Sequence, residues 1–142
     1  MKVAFYKYEY GDWKDWLIAK LTRSKYSHIE LILDDDISLS SSPREKGVRF
    51  KLIKYKPDRW DFINVGFETK EHKYRADDLT KKEHKYDWVS ILFGWLGLKS
   101  YNRFNCVNAC MYVIDADFKY YTPQGVYEKL QRGRAVGSSS VS

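Results

Sequence analysis

Two residues in this chain can do covalent chemistry together: a histidine at position 28 and a cysteine at position 106. An imidazole can take the proton of a thiol, and the resulting thiolate attacks acyl carbons. Each residue has a local setting that suits its part. His28 lies in Tyr26-Ser27-His28-Ile29-Glu30-Leu31-Ile32-Leu33, an alternating, β-prone run. Cys106 opens the apolar run Cys106-Val107-Asn108-Ala109-Cys110-Met111-Tyr112-Val113-Ile114, which reads as a helix. A sulfur at a helix N-terminus meets the dipole and free N–H groups that favour a thiolate. Its own backbone N–H would also face a substrate carbonyl and help form an oxyanion hole. Strand alternation puts Glu30 on the same face as His28, with Ile29 and Leu31 on the other. A carboxylate there can fix the imidazole tautomer and stabilise the imidazolium.

Each of these residues also has a plainer reading. His28 can be a hydrogen-bonded sheet residue with Glu30 as a solvated neighbour. Cys106 and Cys110 can both be small buried hydrophobes, and that is the expectation for Cys110. His28, Cys106 and Cys110 could supply three zinc ligands, but their spacing matches no compact zinc motif, so neither a metal nor a cofactor is expected. His72 and His84 fall in a Lys/Glu-rich stretch and read as solvated. The chain has no phosphate-cradling glycine loop and no serine-nucleophile elbow. Basic residues interleave with Tyr55 in Lys51-Leu52-Ile53-Lys54-Tyr55-Lys56, but without a nucleic-acid motif, so nucleic acid is not an expected partner.

The elements that must position these residues can be read along the chain. Residues 3–8 read as a strand. Gly11 breaks it, and Asp12 is a good N-cap for a helix with Trp13, Trp16, Leu17, Lys20 and Leu21 on one side. Strand patterns follow at 27–33, 37–40, 48–55 and 60–67, separated by turns at Asp34-Asp35-Asp36 and Pro57-Asp58 and by a Ser/Pro loop through Pro43. A charged surface helix is predicted over 69–86, an apolar one over 87–96, the cysteine helix over 106–116 and a last helix over 123–130, with Pro123 in its first turn. Residues 1–134 read as a single domain and 135–142 as a flexible Gly/Ser tail.

At 142 residues, 44% apolar and 17% aromatic, the chain can bury a sizeable core. Its net charge of +6 suits an anionic surface, although Lys and Arg are interspersed with acids as on an ordinary solvated face. Two cysteines four residues apart are a poor disulfide pair, which suits a reducing compartment. The N-terminus does not read as a signal peptide and no stretch is long enough to span a bilayer, so a cytoplasmic location is expected (a host cytoplasm if the source is a phage).

Taken in order, these residues resemble the circularly permuted NlpC-type papain-like family. That group includes lecithin retinol acyltransferase and small bacterial and phage-borne hydrolase-like proteins. The resemblance runs over nearly the whole chain, from Val3 to Leu130. It rests on Ala4-Phe5-Tyr6-Lys7, the stretch from Ser24 to Leu31 around His28, the stretch from Ser41 to Lys51, Trp60-Asp61-Phe62, Tyr86-Asp87-Trp88, Phe104-Asn105-Cys106 and Tyr121-Thr122-Pro123. The order His before Cys is the reverse of ordinary papain-like enzymes. The resemblance implies an α+β papain-like fold with a small antiparallel sheet packed on helices. It implies Cys106 as nucleophile and His28 as base. Glu30 matches the His-x-Glu form of the third residue; other members place that residue on the next strand, near Ser40. Relatives often carry Ser-Glu after the cysteine, where this chain has Val107-Asn108. The implied activity is a cysteine hydrolase or acyltransferase working through a thioacyl-enzyme on a peptide, a peptidoglycan crosslink or a lipid acyl group. The alternatives are a catalytically inactive binding module on the same fold and a basic nucleic-acid-binding protein.

Overall fold

The opening run of β-branched and aromatic residues forms strand β1 (Lys2–Lys7), with Val3, Ala4 and Phe5 fully buried. A computed structural model describes residues 1–82, 85–86, 103–114 and 122–139. Within them β1 is joined by β2 (Tyr26–Ile32), β3 (Ile37–Ser42), β4 (Gly47–Leu52), β5 (Trp60–Asn64) and two short edge pieces, β6 (Lys85–Tyr86) and β7 (Arg103–Phe104). The sheet order is β5-β1-β2-β3-β4-β6-β7. The first five strands are antiparallel, and β7 lies parallel to β6. The tri-aspartate turn joins β2 to β3, with Asp36 left-handed at φ 62°, a conformation that a short polar side chain tolerates.

Among the described residues, four α-helices complete an α+β architecture: α1 (Trp13–Thr22), α2 (Lys70–Lys81), α3 (Cys106–Ile114) and α4 (Pro123–Ser139). One sheet face presents Val3, Phe5, Ile29, Leu31, Leu39 and Ile63. These pack in one core with Leu79 of α2, Val107 and Val113 of α3, and Val126 of α4. Burying aromatic and branched side chains in this way contributes about 1.5–3 kcal/mol each.

The ladder between β2 and β3 holds only two pairs, Leu31 with Leu39 and Ile32 with Ser38. Beyond them the strands part, and the Ser40 hydroxyl donates to the Ile29 carbonyl at 2.6 Å in place of a backbone rung. Helix α3 packs against both strands here, with the Cys110 thiol 3.7 Å from the Leu39 carbonyl oxygen.

The Trp13, Trp16 and Leu21 side of α1, whose orientation the spacing leaves open, faces outward, and Asp15, Ile18 and Ala19 face inward. The polar inner side is accounted for by an ion pair and hydrogen bonds that Asp15 makes inside the fold. The helix expected over 69–86 ends at Lys81, because Lys85 instead pairs with Gly47 at the edge of β4. The strand expected to stop at residue 40 runs on to Ser42, and the one expected over 60–67 stops at Asn64. The last helix does not stop at residue 130: it runs through Ser139, so residues 135–139, expected in the tail, are helical. Extending a nucleated helix is far cheaper than starting one, so weak helix formers can be carried at its end. The helix expected over 87–96 and His84 lie outside the described residues.

Candidate active site

The site begins with a cap. Asn105 is fully buried just before α3, and its Oδ1 accepts from the Asn108 backbone N–H at 2.8 Å. Its carbonyl accepts from the Ala109 N–H at 3.1 Å. This is N-cap geometry, and it makes Cys106 the first helical residue. The N–H of a first helical residue has no partner in the intrahelical ladder, which leaves it suited to an oxyanion.

The facing strand carries an irregularity just where the imidazole is needed. Lys7 pairs with Tyr26 and Tyr6 with His28, so Ser27 is the extra residue of a β-bulge. A bulge re-aims the side chains beside it, and bulges are frequent next to reactive sites. Ser27 is fixed in turn by donating its hydroxyl to Asp15 Oδ1 of α1 at 2.8 Å. Asp15 also receives Arg44 at 2.5 Å.

His28 hydrogen-bonds to Glu30, with Nε2 2.7 Å from Glu30 Oε1, and the Cys106 thiol lies near enough to the ring to influence its proton affinity. Burial by itself would disfavour a charged imidazole. The Glu30 charge, then the hydrogen bonds with Cys106 and Glu30, outweigh it and raise the His28 pKa to about 10. The balance of these interactions favours the charged form of the imidazole.

Glu30 is 1% exposed and is held from the other side by Arg49, with guanidinium nitrogens at 2.7 and 2.5 Å from its two oxygens. Burial would push the Glu30 carboxyl up; the Arg49 hydrogen bond and the His28 charge win, and its pKa falls below the ordinary glutamate value. The result is a buried chain of charges, Arg49–Glu30–His28, ending at the Cys106 sulfur.

His28, Glu30 and Cys106 are thus brought together. Ser40 donates its hydroxyl to the Ile29 carbonyl rather than to His28. Cys110 is fully buried one turn inside α3, and burial followed by the nearby Glu30 charge pushes its thiol well up. His72 is not merely solvated: its Nδ1 accepts from the Thr69 N–H at 3.1 Å in the α2 capping box. Three contributors escape the sequence reading, namely Arg49, the Asn105 cap and the Asp15–Ser27 tie. Asn105 alone had a local signal, a capping residue directly before an apolar helical run.

No family model matches the chain, and neither the curated proteins nor the solved structures contain a match to it.

Proposed function

We propose that the chain is a cysteine hydrolase or acyltransferase of the circularly permuted NlpC-type papain-like group, with Cys106 as nucleophile, His28 as acid and base, and Glu30 as the residue that orients and charges the imidazole. One observation carries this reading: His28 Nε2 lies 2.7 Å from the buried Glu30 carboxylate, and the Cys106 thiol that opens α3 lies close enough to the same imidazole to raise its pKa. A packing histidine has no need of both partners.

The Cys106 thiolate attacks the acyl carbon of an amide or ester, and the carbonyl electron pair moves onto oxygen, facing the first N–H groups of α3. The tetrahedral adduct collapses, the bond to the amine or alcohol breaks, and the His28 imidazolium protonates the leaving group. Neutral His28 then takes a proton from water, or from an acceptor alcohol or amine, which attacks the thioester and releases Cys106. Peptide, peptidoglycan and lipid acyl groups all satisfy this chemistry.

The burial of Cys106, at 1% exposed, favours a second reading in which the same fold is a binding module without turnover. Labelling with a panel of acyl-directed cysteine probes, followed by mass mapping, separates the two. We expect the adduct on Cys106 and its loss in Cys106→Ser. Any acyl turnover found should fall about 10²–10⁴-fold in His28→Ala. Preferential modification of Cys110, or no adduct from any probe on the folded chain, overturns the enzyme reading.

A further inference from the structure

Helix α1 wears its largest apolar side chains on the outside. Trp13 is 68% exposed, Trp16 52% and Leu21 45%, while the inward side consists of Asp15, Ile18 and Ala19. Trp13, Trp16, Leu17, Lys20 and Leu21 follow the i, i+3, i+4, i+7, i+8 spacing of a single helical stripe. Tyr10, in the single 3-10 turn (Tyr8–Tyr10) before the helix, extends the patch at 41% exposure.

Cations are built into this stripe. Lys14 Nζ lies 5.7 Å from the Trp13 ring centroid and Lys20 Nζ 5.9 Å from that of Trp16, and the Arg59 guanidinium stands 5.5 Å from the Tyr10 ring. The helix's acidic residues, Asp15 and its cap Asp12, are both engaged by Arg44. Arg23 and Lys25 add exposed positive charge just past its C-terminus.

We propose that this face of α1 docks on an anionic lipid surface. Lys20 in the middle of the apolar stripe decides against a protein partner, because lysine is depleted from the centres of protein interfaces. At a bilayer the same side chain reaches out to the phosphates while its stem lies among the rings. Exposed tryptophans with lysines beside them suit the boundary between a bilayer and water. The helix is tied through Asp15 to Ser27, directly before His28, so docking would anchor the element that supports the Cys106–His28 pair.

The test is co-sedimentation of the full chain with vesicles of phosphatidylcholine alone and with added phosphatidylglycerol. We expect pelleting with the anionic vesicles, weakening as salt rises through the range where screening sets in. Binding should fall roughly tenfold or more in Trp13→Ser/Trp16→Ser and in Lys14→Gln/Lys20→Gln. All four side chains lie on the outward side or flank of α1, and an unchanged circular dichroism spectrum shows the fold intact. Equal binding to neutral vesicles, no binding to either, or double variants that bind like the parent overturns the proposal. So does a vesicle-free dimer that the tryptophan variant abolishes, which would assign the face to a second copy. Vesicle binding does not use the Cys106 thiol, so its failure leaves the probe-labelling result standing, and the reverse holds too.

Discussion

Glu30 holds a charge at 1% exposure because two cations meet it from opposite sides, His28 at 2.7 Å and the fork of Arg49. Removing one member of such a buried set leaves an uncompensated charge and costs about 3–5 kcal/mol. Arg49→Ala should lower the urea midpoint accordingly. Glu30→Gln should lower the His28 pKa from its value of about 10, read by NMR titration, and slow Cys106 alkylation near neutral pH. An unchanged His28 titration would remove Glu30 from its role. The pH dependence of stability follows from both shifts. His28 titrates near 6.5 when unfolded and about 10 when folded, so its contribution is complete below pH 6.5 and disappears as pH rises through about 10. Glu30 has the opposite sense: its contribution is complete above pH 4.5 and is lost as pH falls through its depressed folded value. Urea unfolding across pH should show both declines, and His28→Asn should remove the alkaline one. The pairing of His28 with Glu30 was legible from strand alternation. Arg49 was not, because its approach depends on the register of Arg49 beside Ser40, two strands away from Glu30.

At the scale of elements, α3 matters through its first turn. Asn105→Ala should cost about 1 kcal/mol in urea unfolding and slow alkylation of Cys106 by limiting iodoacetamide, because the cap places the sulfur. Cys110 should remain the inert thiol in the same experiment. The start of α1 was equally legible: Asp12 accepts from Lys14 N–H at 2.9 Å, and Asp15 closes the capping box by accepting from Asp12 N–H at 3.0 Å. Which side of α1 turns inward was not legible. Periodicity groups the tryptophans on one side but does not say which side is buried. Here a carboxylate with partners on two other elements fixes the helix's rotation. The end of α2 was also out of reach, because it depends on Lys85 pairing with a strand from far along the chain.

On the scale of the whole molecule, the strands, turns and α+β character were readable from alternation and turn residues, whereas sheet order and register are products of long-range packing. No helix among the described residues is long and apolar enough to cross a membrane. The two-pair ladder between β2 and β3 divides the sheet mechanically. On one side β1 holds six pairs to β2 and five to β5; on the other, β3 holds six to β4. These are two stiff plates joined along a compliant hinge, which α3 straddles. Hydrogen exchange should show the amides of Leu31 and Leu39, which face each other across the β2–β3 ladder, opening more readily than those of Val3 and Phe5, and equal protection would refute the hinge. His28 rides on one plate and the Leu39 carbonyl that meets Cys110 on the other. If His28 and Cys106 act together as proposed, a change in the spacing of β2 and β3 would alter the distance between them, and sheet width would become a control on the reactivity of the sulfur.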